Sequence, residues 1–434
     1  MNREILNLAI PNIISNITVP LLSSVDTAIT GHMDGVHYVG AISIGGMIFS
    51  FLYWGFGFLR MGTTGLTAQS FGQKDEEGSY NHLFRAAFLA IGISALLLLL
   101  QSPIKTLAFS LIDSSDEVIQ YGSSYYDIRI WGAPAVLLTF ALNGWFFGMQ
   151  NARVPMVTTV LINLSNIGFS LFFVYQMGMD SDGVALGTLV ANYIGLTLIG
   201  GMALRQLWKK KPEFRMAVIL KTEELWRLFN VNRDIFIRTM CLIITYSFFT
   251  LQSAAMGEDI LALNTILMQL WYIMAYVVDG FAYAAESITG KYVGEGNKQK
   301  LSQSMLLTTA WGMGLGVLFT IIYAIFNVDM VSLFTDQQNL IELAEVFILW
   351  TIFAPLVNAF SFMLDGIFIG ATETKAMRNS MIIATFFIFF PIYYLTVSHI
   401  GNHAIWLAMT LYMLARGVAL LFFVSDITKR VARN

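Results

Sequence analysis

Charge is the scarcest feature of this chain. Of 434 residues only 12% are charged, about half the share of a soluble protein, while 56% are hydrophobic. A water-soluble protein cannot hide that much apolar surface, so the solvent for most of the chain is lipid. Neither sign of charge dominates. The 25 Lys and Arg stand against 28 Asp and Glu, and the basic residues form no broad face, which argues against a nucleic-acid partner. Cysteine occurs once, as Cys241, so no intramolecular disulfide can form. HExxH, GxSxG and Walker patterns are missing, and no His/Cys cluster has metal-ligand spacing. An enzyme is not expected, nor is a cofactor. Without a phosphate-binding loop, energy is expected to come from an ion gradient.

Long apolar runs are what the chain has instead. A spanning helix needs roughly 20 mostly apolar residues. Twelve stretches qualify: 5–31, 38–70, 80–101, 117–148, 154–177, 182–206, 233–256, 260–293, 301–326, 340–370, 376–397 and 402–425. The expected fold is an all-α integral membrane protein. With both termini placed in the cytoplasm, the loops holding Lys74, Arg153, Lys298, Lys300 and Lys375 and the whole 207–232 connection fall inside, and only Lys105 falls outside. That asymmetry follows the positive-inside rule. Segment 207–232 contains KTEELWRLFNVNRD, an amphipathic stretch with Leu225, Trp226 and Phe229 on one face, and reads as an interfacial helix linking two halves.

The chain also repeats itself. LNGWFFGMQN from Leu142 lies over LDGIFIGATE from Leu364, an offset of 222 residues that also lays Gly72 over Gly294. Six spans is an even number, so the halves start on the same side and form parallel repeats about an axis along the membrane normal. The division expected is 1–206, a linker 207–232, and 233–434, with substrate bound between the bundles.

Ionisable groups at membrane depth are costly, and function is the default hypothesis for them. In the first span Asn12, Asn16, Ser23, Asp26, Thr27 and Thr30 fall within an arc of about 100° at helical spacing, and Pro11 and Pro20 invite a kink. The fifth span aligns Thr159, Asn163, Asn166 and Ser170, the sixth offers Thr188 and Asn192, and the fourth Asn143. In a bundle these could surround Asp26; helix-packing contacts are the alternative for each one alone. In the second half Asp279, Tyr283 and Glu286 share a face, and Asp365 shares one with Asn358 and Ser361. They are candidates for a cavity lining, with Arg60 as a partner for one of the acids. Asp127 and Arg129 read as a local ion pair.

The set VDTAITGHM (25–33), FLRMGTTGLTAQSFG (58–72), LNGWFFGMQNARVP (142–155), NRDIFIRT (232–239), DGFAYAAES (279–287) and LDGIFIGATETKAMRNSM (364–381) resembles multidrug and toxic compound extrusion (MATE) transporters of the DinF-like branch. The resemblance covers nearly the whole chain. It implies twelve helices in two six-helix lobes, V-shaped, alternating access, and export of amphipathic or cationic small molecules in exchange for protons or sodium. By position Asp26 matches the aspartate that carries the coupling ion, Asn143, Asn166 and Thr188 match polar residues around it, and Pro11 matches the proline where the first helix bends. Many relatives carry a second aspartate where this chain has Ser170. One carboxylate suffices for a proton, so proton coupling is expected ahead of sodium at Asp26. The resemblance places the chain in the bacterial inner membrane among its lipids, with a monomer expected. A flippase for lipids or lipid-linked saccharides is the alternative. It would want more basic residues in the spans than Arg60, Arg85, Arg129, Arg238 and Arg416.

Overall fold

A computed structural model describes residues 1–31, 33 and 35–431, with side chains at all of these except Leu21, Ser23, Ser24, Asp26, Thr27, Ala28, Thr30 and Val36. In lipid every backbone polar group must find its partner within the protein, which leaves helices as the local solution for an apolar chain. Among the described residues there is no strand. Helix 1, Asn2–Gly31, runs without interruption through Pro11 and Pro20. Among the described residues, eleven helices after it are long and apolar enough by themselves to be counted as crossing a membrane: helix 2 (His37–Gly72), helix 3 (Glu76–Leu99), helix 4 (Asp116–Gly148), helix 5 (Arg153–Gln176), helix 6 (Ser181–Lys210), helix 7 (Thr222–Ala255), helix 8 (Glu258–Gly294), helix 9 (Lys298–Met330), helix 10 (Gln338–Gly370), helix 11 (Thr374–Ile400) and helix 12 (His403–Val431). The amphipathic linker stretch is not a separate element. It forms the first turns of helix 7, preceded by a single helical turn at Met216–Ile219.

The chain divides into two compact units. The N-terminal unit holds Ile14–Ser70 and Asp75–Leu228; the C-terminal unit holds Phe229–Asn434 together with Met1–Ile13 and Phe71–Lys74. Helix 1 is therefore shared, and the division falls three residues after Pro11. Its first turns are fastened within the C-terminal unit. Glu4 accepts from Lys291 Nζ and, at 2.9 Å, from Tyr292 Oη, and a Cβ at Gly280 would stand 2.4 Å from Ile13 Cγ1 and 3.1 Å from the Ala9 carbonyl oxygen.

The internal repeat is physical as well as textual. A Cβ at Gly144 would stand 2.4 Å from the Arg60 carbonyl oxygen, and one at Gly366 would stand 2.3 Å from that of Ala282. The second contact is the first shifted by 222 residues at both members, Gly144 to Gly366 and Arg60 to Ala282. Gly148 meets Thr67 and Ala68, and Gly370 meets Glu286 and Gly290. Helix 4 thus touches helix 2 backbone to backbone, as helix 10 touches helix 8. Small residues permit that approach, which lipid-solvated helices rely on because apolar burial gives little net drive between them. The connections repeat too. Asp75 caps helix 3 by accepting from Gly78 N, and Asn297 caps helix 9 by accepting from Lys300 N, each at 2.9 Å. Left-handed residues precede both caps, Lys74 (φ 59°) and Gly296 (φ 68°), and a second such pair, Gln150 (φ 60°) and Thr372 (φ 55°), follows helices 4 and 10.

Gly366→Ala is expected to push helices 8 and 10 apart and cost about 1–3 kcal/mol, visible as a lower unfolding midpoint in detergent. Gly314→Ala on helix 9, where a Cβ meets nothing within 4 Å, is expected to be neutral or to stabilise by about 0.5–1 kcal/mol. Equal midpoints for the two variants would count against the close-contact role.

Candidate functional site

In the N-terminal unit the polar stripe of helix 5 meets helix 6. Asn166 Nδ2 donates to Thr188 Oγ1 at 2.8 Å, and Thr188 Oγ1 donates on to the Val184 carbonyl at 2.9 Å. Ser170 Oγ reaches back to Asn166 Oδ1 at 3.4 Å. Asn166 and Ser170 are buried. The two helices come this close because Gly187 has no side chain: a Cβ there would stand 2.6 Å from Ser170 Oγ. One turn or so away, Asn163 Nδ2 donates to Thr18 Oγ1 of helix 1 at 2.7 Å. The structure thus joins Asn166, Ser170 and Thr188 in one chain of hydrogen bonds and ties helix 1 to helix 5 beside it. Asn143 contributes differently: its Oδ1 is buried and accepts nothing among the described residues, as does Thr139 Oγ1 one turn earlier on helix 4. Thr139 was not singled out by sequence, although its spacing of four from Asn143 was available. Asp26 lies on helix 1, but its side chain, like those of Ser23, Thr27 and Thr30, lies outside the described residues.

In the C-terminal unit one cluster is built on full charges. Asp365 on helix 10 is buried and accepts from two guanidiniums at one oxygen, from Arg238 Nη2 of helix 7 at 2.6 Å and from Arg416 Nη2 of helix 12. Asp279 is near enough to act electrostatically on both arginines, and Tyr283 on Arg238. Of the four proposed cavity residues, Asp365 is the one whose carboxylate is seen bonded to Arg238. Glu286 is buried on helix 8, where its backbone carbonyl lies under Gly370. The partners of Asp365 are Arg238 and Arg416, while Arg60 lies 5.9 Å from the centroid of the Phe147 ring. Nor do Asp127 and Arg129 form a mutual pair in the hydrogen bonds seen. Asp127 accepts from Lys105 Nζ at 2.6 Å and Arg129 donates to Tyr125 Oη at 2.9 Å, because residues two apart on a helix face different sides.

Two further networks carried no clear signal in the sequence. Asp234, buried at the start of the NRDIFIRT motif, accepts from Arg378 Nη1 at 2.8 Å and from Thr374 Oγ1 at 3.3 Å, joining helices 7 and 11. Buried Asn264 of helix 8 exchanges hydrogen bonds with Asn402, and accepts from Trp406 Nε1 at 2.9 Å.

Buried hydrogen-bonded chains and sealed ion pairs thus join the helices within each unit. The MatE family profile matches residues 11–172 and again 235–395. The chain belongs to the MATE family. Its DinF-like character rests on the DNA damage-inducible protein F of Escherichia coli (strain K12), 37% identical over 422 residues, covering 96% of this chain and 91% of that protein. A probable multidrug resistance protein NorM of Photorhabdus laumondii is 21% identical over 99% of this chain and 96% of its own length. The solved structure of a multidrug resistance MATE family transporter in its outward-facing conformation shares the fold with a TM-score of 0.87 at 20% identity, covering 98% of this chain and 96% of that one. This MATE protein is a multi-pass membrane transporter and not an enzyme.

Asp365→Asn would leave Arg238 and Arg416 buried without their shared anion, and loss of one partner of a buried pair costs about 3–5 kcal/mol. The expected result is a lower unfolding midpoint and less monodisperse protein. Asp365→Leu combined with Arg416→Leu should recover part of that loss; a double variant no better than the single would argue that the pair is not the stabilising contact.

Proposed function

We propose that this MATE transporter is a secondary active antiporter that exports amphipathic and cationic compounds by alternating access, driven by inward proton flow through Asp26. The observation that supports it most is the contrast between the Asn166 cluster and the Asp365 cluster. The hydrogen-bonded chain of Asn166, Ser170 and Thr188, with unsatisfied Asn143 Oδ1 on helix 4, offers a neutral polar environment for a group that loads and releases a proton. Asp365, by contrast, is engaged by two arginines. The relatives named for multidrug resistance support the substrate class. Pro11, which denies helix 1 a backbone hydrogen bond, is the bend at which that helix responds. Asp279, Tyr283, Glu286 and Asp365 border the route of substrate in the second lobe.

The same reading takes 1–206 and 233–434 as the lobes, 207–232 as the cytoplasmic linker, the inner membrane as the location with both termini in the cytoplasm, and a monomer as the working unit. A sodium ion held by Asp26 and neutral oxygens is the second reading, since Asn166, Ser170 and Thr188 bring such oxygens together. The flippase reading is not favoured: Arg238 and Arg416 are occupied by Asp365, and Arg85 by backbone carbonyls.

Asp26→Asn keeps shape and removes the titratable group, so proton-driven export is expected to fall to background while the protein inserts normally. Glu286→Gln and, at matched folded protein, Asp365→Asn should retain more transport. The reverse ranking in a drug-efflux assay would move coupling to the second lobe.

Proteoliposomes carrying a pH gradient without a sodium gradient are expected to export; a sodium gradient at equal pH is not. Ser170→Asp, which adds a carboxylate beside Asn166, should strengthen sodium binding and disturb proton-driven export. Export by the wild type on sodium alone would overturn the proton assignment.

A further inference from the structure

Helix 6 contains 30 residues, so it is about 45 Å long, against a hydrocarbon layer of roughly 30 Å. It is long enough for its last turn to project beyond the hydrocarbon, and that turn reads Trp208-Lys209-Lys210 before the chain reverses at left-handed Lys211 (φ 48°). Between this turn and helix 3 runs an open groove of about 340 Å³ lined by Phe84, Leu207, Trp208, Lys211 and Pro212. The groove is fixed and not a gap beside a loose loop. Phe214 packs edge-on against Phe84, ring centroids 5.1 Å apart. Arg85, 5% exposed, donates from Nε to the Ile219 carbonyl and from Nη2 to the Val218 carbonyl, each at 2.9 Å, which staples the following chain to helix 3.

The charge around it is unbalanced. Four carboxylates of the adjoining segments are already engaged: Glu76 by Lys210, Glu213 by Arg215, Glu223 by Lys221 and Glu224 by Arg85. Lys209 and Lys211 have no acidic partner among the described residues. Trp208, 80% exposed, is the kind of residue that sits at the membrane–water boundary. A mainly apolar groove, an exposed indole in its wall and two neighbouring lysines without acidic partners, Lys211 of them lining it, match one ligand chemistry: a phosphodiester with an acyl chain attached.

We propose that this groove binds one anionic phospholipid of the cytoplasmic leaflet, its phosphate held by Lys211 in the field of Lys209 and its first methylenes laid along Phe84, Leu207 and Trp208. The site lies beside the linker that joins the two halves, so its occupant would fasten the start of that linker to helix 3. The choice of leaflet rests on the orientation proposed above; the binding itself does not, because nanodiscs present the same lipids on both faces.

The test uses the full-length protein in phosphatidylcholine nanodiscs containing a fraction of phosphatidylglycerol, with one or the other lipid brominated and tryptophan quenching as the readout. Brominated phosphatidylglycerol should quench more than an equal fraction of brominated phosphatidylcholine, and Trp208→Phe should remove the excess. Lys209→Gln with Lys211→Gln should lower the relative affinity for phosphatidylglycerol roughly 5- to 30-fold, the range for one to two lysines near an anionic surface. Lys298→Gln with Lys300→Gln, elsewhere on the basic side, should leave it unchanged. Half-molar salt should weaken the wild-type preference without any substitution. Equal quenching by the two lipids, a preference insensitive to salt, or a preference that survives loss of both lysines would overturn the proposal. None of these outcomes touches the transport reading, which is scored by efflux.

Discussion

Much of the architecture depends on how closely two helix backbones can approach in lipid. Apolar side chains gain little by leaving acyl chains for one another, so association must come from surface fit and polar contact. The contacts of Gly144 with Arg60 and of Gly366 with Ala282 supply the fit, because nothing but hydrogen stands between backbone and backbone. Once helix 4 is seated on helix 2, and helix 10 on helix 8, the register of each rod is set to within one residue. Gly187 does the same for helices 5 and 6, and the register it sets is what brings Asn166 to Thr188.

Polar contact supplies the rest, and the Asn166 cluster and the Asp365 cluster use different chemistry for it. Amides and hydroxyls in the N-terminal unit form hydrogen bonds that can be remade around water or a proton at modest cost. Buried full charges in the C-terminal unit cannot be rearranged so freely. Separating Asp365 from Arg238 and Arg416 in a low-dielectric interior exposes uncompensated ions. Asp234 with Arg378 repeats that device on helices 7 and 11.

The helices and the repeat were legible in the sequence because each rests on a local and periodic signal. Twenty apolar residues can do little else in lipid, and glycines 222 apart mark contacts that only glycine fits. The Asn166–Ser170–Thr188 group was legible for the same reason, being a stripe on one helix and a single residue on the next. Pairing between distant helices was not. Asp365 is 127 residues from Arg238 and 51 from Arg416, and several arginines were equally available to it on paper. The Asp127–Arg129 expectation failed for a simpler reason, that sequence proximity was allowed to outrank helical geometry. The linker stretch was rightly read as helical and amphipathic, but its continuity with helix 7 depended on the absence of any residue that breaks the helix between Thr222 and Ala255.

The repeat also makes a chemical comparison possible at one defined place. Asn143 and Asp365 occupy equivalent positions, pinned by the glycines that follow them and by the backbone contacts those glycines make. On helix 4 the residue is a neutral amide whose oxygen accepts nothing among the described residues; on helix 10 it is a carboxylate held by two guanidiniums. The same backbone geometry therefore presents an unsatisfied acceptor in one half and a satisfied ion in the other. An unsatisfied acceptor draws in water or a mobile cation, whereas a carboxylate clamped between two arginines already has its counter-charges. The repeat supplies the same scaffold twice, and a difference of one residue on it separates an amide oxygen left without a donor from a carboxylate that holds helices together.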